Sequence, residues 1–63
     1  MAHDFQEFAA QKFAREDLDR LTAEEEDILQ RRRRHSPVSV AMQLHCCVET
    51  VYRRQRSIRR KLE

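Results

Sequence analysis

The sequence contains no glycine and no tryptophan, and aromatic residues make up 6% of its 63 residues. This composition favours a bundle of helices over a β-sandwich. No apolar run approaches the roughly 18 residues that a membrane span needs, and no secretory leader is visible. A core of this size supplies only a few kcal/mol of stability, which argues against a deep enzyme cleft and favours a binding module.

Cysteine is also scarce, and the two cysteines, Cys46 and Cys47, are adjacent. They make a poor disulfide framework, which favours a reducing cytoplasm. A zinc site needs about four ligands, and only His35 and His45 lie near these thiols in the sequence. Adjacent cysteines cannot easily point at one metal. We therefore predict a structural corner without metal or cofactor, and keep a redox switch at Cys47 as the alternative.

No catalytic constellation stands out either. There is no phosphate-binding loop, and no nucleophile has a base beside it. The acids at Glu24–Asp27 are typical of a helix start rather than of paired general acid and base. The sequence predicts that the chain is not an enzyme.

Charge is unevenly distributed along the chain. Residues 1–30 hold nine acids and three bases, whereas residues 31–63 hold ten bases and two acids, which together leave a net charge of +2. Such asymmetry indicates a polyanionic partner for the second half. The alternative is a solvated helix surface.

The first segment is predicted to form one amphipathic helix over residues 4–20. Asp4 and Glu7 have the spacing of a capping box. Phe5, Phe8 and Phe13 follow the helical period of one apolar face. This face has two interpretations, a core face or a surface for a partner or a homodimer.

A second helix is predicted over residues 22–34. Thr22 and Glu25 form a T-x-x-E capping box at its start. Arg31–Arg34 suit the negative end of the helix dipole but leave the last turn short of apolar residues. We expect this turn to be exposed or frayed, and its arginines to be available to phosphates.

A helix-turn-helix is predicted over residues 37–62. Ser36 as N-cap and Pro37 at the first helical position begin a short helix that ends near Leu44. Residues 45–47 form a turn, and a longer basic helix then runs from about Val48 to Leu62. The sequence thus predicts an all-α, small four-helix domain with a C-terminal helix-turn-helix.

Three stretches, "LDRLTAEEEDIL", "VSVAMQLHCCVETVYRR" and "IRRKL", resemble region four of bacterial sigma factors and the related LuxR-type regulators. In those families the turn carries glycine where His45 stands, because the position often needs a positive φ. Cys46 falls on a position that is usually a buried aliphatic residue. Cys47 falls on the N-cap of the recognition helix, where Ser or Thr is usual.

The resemblance implies sequence-specific binding of double-stranded DNA by a small transcriptional regulator of a bacterium, a phage or a mobile element. Four residues would face base edges, and these are Val48, Glu49, Tyr52 and Arg53. Five would contact the DNA backbone, and these are Thr50, Arg54, Arg56, Arg59 and Lys61. The alternative is a sigma-like module that binds RNA polymerase or another regulator through its acidic half and its phenylalanines.

Overall fold

The computed structural model describes residues 5–63, and this part of the chain is helical and contains no strand. Five helices follow one another, namely α1 Phe5–Ala9, α2 Arg15–Leu18, α3 Ala23–Arg32, α4 Pro37–Leu44 and α5 Val48–Leu62. The predicted all-α class is confirmed, but the helix count is five rather than four.

Two helices, α3 and α5, organise the packing. The longest helix, α5, contacts α2, α3 and α4, and α3 also contacts α1 and α4. All helices except α2 contribute buried apolar side chains to one core, and Leu21 joins them from the turn before α3. The core consists of Phe5, Phe8, Ala9, Leu21, Ile28, Leu29, Val40, Ala41, Val51 and Ile58.

The start of α3 matches its sequence signature. The Thr22 hydroxyl accepts a hydrogen bond from the Glu25 backbone N–H at 3.1 Å. The Glu25 side chain in turn accepts one from the Thr22 N–H at 3.0 Å. The predicted capping box is therefore confirmed. It satisfies two backbone N–H groups that a helix start would otherwise leave unpaired.

Both ends of α4 have the residues that the sequence analysis singled out. Ser36 caps α4, and Pro37 occupies its first turn. His45 ends the helix in the left-handed region, with φ 57° and ψ 45°. The Cys46 N–H then donates to the Ala41 carbonyl at 3.0 Å, as in a Schellman motif. Histidine thus occupies the left-handed position that favours glycine.

The N-terminal helix predicted over residues 4–20 is wrong as a single element, and its proposed cap at Asp4 lies outside the described residues. Residues 10–14 separate α1 from α2. On a continuous helix, Phe8 and Phe13 would point about 140° apart. The break instead brings their ring centroids within 5.4 Å.

Arg33 occupies the end of α1 that this break exposes. Its Nε donates to the Ala9 carbonyl at 2.6 Å. In a continuous helix this carbonyl would accept from the N–H of Phe13. The Gln6 side chain returns a hydrogen bond to the Arg33 carbonyl at 3.2 Å. An arginine from α3's end therefore replaces the backbone hydrogen bond that continuation of α1 would have formed.

The arginine run 31–34 is not uniformly exposed, contrary to the expectation from sequence. Arg32 is 3% exposed, and its guanidinium lies 5.5 Å from the centroid of the Phe5 ring. It donates to the Gln55 side chain at 2.6 Å and to the His35 carbonyl at 2.7 Å. Arg34, two positions on, is exposed. Arg31 and Arg33 are half-buried, so Arg34 is the one exposed member of the run.

This difference in burial predicts unequal effects on stability for substitutions at Arg32 and Arg34. Arg32→Ala should lower the free energy of unfolding by about 2–4 kcal/mol, because it removes a buried guanidinium with two short hydrogen bonds and uncovers Phe5. Arg34→Ala, the matched control, should change it by no more than about 0.5 kcal/mol. Urea unfolding followed by circular dichroism measures both. Equal effects of the two substitutions would contradict the packing role of Arg32.

Candidate nucleic-acid interface

The outward face of α5 carries a continuous row of polar and charged side chains. We call it the outer stripe and define it as Glu49, Tyr52, Arg53, Arg56 and Arg60, all of which are exposed. From its first to its last residue the stripe extends about 16 Å along the helix. The opposite face of α5 is buried in the core, which fixes the direction in which the stripe points.

The arginines of the outer stripe are not neutralised locally. Among the described residues, no acid lies within ion-pair distance of Arg53, Arg56 or Arg60. Glu49 and Tyr52 line an open surface depression together with Arg53 and Arg56. The depression therefore presents an acceptor, an aromatic ring and two guanidinium groups side by side.

The inward flank of α5 is held by one buried carboxylate. Glu25 is 3% exposed, and its two oxygens accept from Ser57 Oγ at 2.6 Å and from Lys61 Nζ at 2.7 Å. Burial alone would raise the pKa of Glu25. The hydrogen bonds from Lys61, Ser57 and the Thr22 N–H outweigh burial and lower this pKa from 4.5 to about 2.

Two further cations of α5 also have partners within the chain. Arg54 Nη2 lies 3.1 Å from Glu24 Oε1 on α3. Arg59 Nη2 lies 3.3 Å from Glu63 Oε2, and its guanidinium sits 4.8 Å from the centroid of the Phe8 ring. The Phe8 contact joins the far end of α5 to α1.

The predicted base-reading residues divide into two groups. Glu49, Tyr52 and Arg53 come together around the surface depression. Val48 is half-buried and packs against the core instead. Val48 therefore helps to anchor the first turn of α5 to the core, and its side chain is not on the exposed face with the other three residues.

Of the predicted backbone-contact residues, only Arg56 is exposed, while Thr50, Arg54, Arg59 and Lys61 are half-buried. Lys61 binds the buried Glu25 and therefore belongs to the packing of α5 on α3. Arg60 is exposed on the outer stripe but is absent from the residues chosen by sequence. Its spacing of seven residues from Arg53 is the signal that could have identified it.

The phenylalanine face belongs to the core. Phe5 and Phe8 are 5% and 9% exposed, and Phe13 packs partly buried against them. Of the two interpretations of this face, burial matches the core. The rings that a partner or homodimer surface would use are therefore largely covered by the chain itself.

The two adjacent cysteines lie in different environments. Cys46 is half-buried against the core, where the resemblance puts an aliphatic side chain. Cys47 is exposed, and its backbone forms the N-cap of α5 without a side-chain capping hydrogen bond. Within residues 5–63, no group of three or more His, Cys, Asp or Glu side chains could hold a metal ion.

Comparisons with known protein families, with curated proteins and with solved structures found no match to this chain. In the described part of the chain, no helix combines the length and the apolar character needed to cross a membrane.

The Glu25 contacts predict a specific pH dependence. A folded-state pKa of about 2, below the ordinary 4.5, means that the carboxylate stabilises the fold above pH 4.5. This contribution, on the order of 3 kcal/mol, should be lost as pH falls from 4.5 towards 2. The unfolding free energies of wild type and Glu25→Gln should therefore converge over this range in urea titrations. A stability difference between wild type and Glu25→Gln that stays constant with pH would contradict the lowered pKa of Glu25.

The bare N-cap of α5 predicts a stabilising substitution. Cys47→Ser should raise the free energy of unfolding by roughly 0.5–1 kcal/mol, because a hydroxyl can accept from the first-turn N–H groups. Cys47→Ala is the control, since it removes the thiol without supplying an acceptor, and it should give no such gain. Thermal unfolding measures the shift, and native mass spectrometry of wild type should show no stoichiometric zinc. A Ser variant that fails to fold, or bound zinc, would refute the corner interpretation.

Proposed function

We propose that this chain binds double-stranded DNA in a sequence-specific manner through α5 and regulates transcription in a bacterium, a phage or a mobile element. The observation that carries the proposal is the outer stripe, a row of three locally unpaired arginines on a helix whose other faces are fixed by the core. A major groove about 12 Å wide accepts one α-helix with its side chains directed at base edges.

The packing of α4 against α5 suits a DNA-binding role. The short α4 packs on α5 across a three-residue turn, as in the helix-turn-helix units in which a first helix braces the second. The left-handed conformation of His45 and the half-buried Cys46 agree with the resemblance to sigma region four and LuxR-type domains. The free thiols of Cys46 and Cys47 fit the reducing cytoplasm in which such regulators act.

Within this proposal, the members of the outer stripe have separate roles. Arg53 lies one turn into α5, where its guanidinium can donate two hydrogen bonds to O6 and N7 of guanine. Glu49, in the first turn, can accept from the amino group of cytosine. Arg56 and Arg60 lie further along the helix and provide contacts to phosphates on the groove wall.

A second function, contact with RNA polymerase or another regulator, is favoured by one observation. Val38 and Met42 lie one turn apart on α4 and are 56% and 72% exposed. Exposed apolar side chains at this spacing suit a protein contact. Salt distinguishes the two functions, because phosphate contacts weaken steeply with salt whereas an apolar contact does not.

Substitutions on the outer stripe test the DNA proposal. Arg53→Ala should cost about 1–3 kcal/mol on the preferred duplex, obtained by selection from random sequences, and should relax preference at one position. Arg60→Ala should weaken binding to preferred and scrambled duplexes alike and reduce the salt slope by about one. Fluorescence anisotropy at several salt concentrations measures both effects.

Arg15→Ala is the matched control for these variants. Its side chain is 74% exposed on α2 rather than on α5, and among the described residues its one ion pair is a long one, 3.8 Å to Glu26. It should leave affinity and sequence preference nearly unchanged. If Arg53→Ala behaves like Arg15→Ala on all duplexes, α5 does not read DNA and the protein-contact function is preferred.

A further inference from the structure

The ion pair between Glu24 and Arg54 differs from the other contact that joins the start of α3 to α5. Glu25, which binds Lys61, has a side chain 5% exposed and accepts additional hydrogen bonds from Ser57 and Thr22. Glu24 has a side chain 55% exposed, and its pair with Arg54 rests on one distance of 3.1 Å. The Glu24 pair is therefore the one that an external anion can displace.

Arg54 is only partly satisfied by this pair. Its side chain is 41% exposed, and its Nε is buried without an acceptor within hydrogen-bonding distance. A guanidinium offers five N–H donors, and its charge is retained at every physiological pH. A group that already has one carboxylate at one nitrogen keeps donors free for a second anion of similar geometry, such as a phosphate.

The position of Arg54 makes a DNA phosphate the relevant anion. Arg54 directly follows Arg53 on α5, on the flank of the helix that faces α3 rather than on the outer stripe. When a helix enters the major groove, residues on its flanks face the phosphates of the groove wall. Glu24 lies at this flank and carries the charge that both attracts Arg54 and repels a phosphate.

We propose that Glu24 acts as a built-in competitor that keeps Arg54 from DNA phosphates and so lowers the affinity for every duplex. This inference rests on the proposed function. Because phosphates repeat identically along a duplex, the competitor lowers general affinity and leaves the preference for one base sequence unchanged. Base contacts then contribute a larger share of the binding free energy than they would without Glu24.

The test compares Glu24→Gln with Glu26→Gln in the full chain. Both substitutions remove one negative charge from the first turn of α3, but Glu26 pairs with Arg15 on α2 and not with α5. We expect Glu24→Gln to bind preferred and scrambled duplexes roughly three- to ten-fold more tightly at low salt, and to steepen the salt slope by about one. Glu26→Gln should produce a much smaller change and no added slope. Thermal unfolding of both variants confirms that the fold is retained.

A second arm places Glu24→Gln in an Arg54→Ala background, where the gain in affinity should disappear. Equal gains for Glu24→Gln and Glu26→Gln would overturn the proposal, since net charge would then explain them. A gain that persists without Arg54 would also overturn it. If the wild-type chain binds no duplex at any salt concentration, the proposed function itself fails, whereas binding without a difference between the two variants removes only the competitor.

Discussion

The position of α5 depends on the carboxylate of Glu25. This side chain closes the capping box of α3 and also accepts from Ser57 and Lys61 in the second half of α5. A buried carboxylate with unfilled acceptor sites would cost several kcal/mol, so any shift of α5 away from α3 leaves an uncompensated charge. Together with the buried face of α5, this contact fixes the rotation of the helix about its axis, and this rotation determines which side chains form the outer stripe.

Arginine side chains make contacts between helices that apolar side chains make in larger domains. A chain of 63 residues has little apolar surface to bury, and the C-terminal end of α3 is densely charged. Arg31 donates to Gln43 of α4 at 2.7 Å, Arg32 reaches Gln55 of α5, and Arg33 reaches the carbonyl end of α1. Three consecutive side chains thus join α3 to three other helices, because consecutive positions on a helix point in directions about 100° apart.

The features that sequence predicted correctly are local, whereas those that it missed depend on contacts between distant residues. The capping box at Thr22 and the N-cap at Ser36 involve atoms within three residues, so their spacing is visible in the sequence. The break after α1 depends on Arg33, 24 positions beyond the carbonyl that it binds. Likewise, Lys61 is placed by an acid 36 positions earlier, and no periodic pattern reveals that its charge is already used. Helical spacing can group the members of the outer stripe, although the prediction omitted Arg60, but it does not show which basic residues beside the stripe already have partners.

Because several basic residues already have partners inside the fold, the charge asymmetry of the sequence overstates the charge available to a partner. The second half of the chain holds ten bases. Only four of them are exposed, namely Arg34, Arg53, Arg56 and Arg60. Three acids of the first half, Glu24, Glu25 and Asp27, pair with bases of the second half. Intramolecular pairing thus converts a strongly dipolar sequence into a fold with a short row of available cations. If α5 binds DNA as proposed, so short a row would make few phosphate contacts and give weak general affinity, and specificity would come from the base contacts of Arg53 and Glu49.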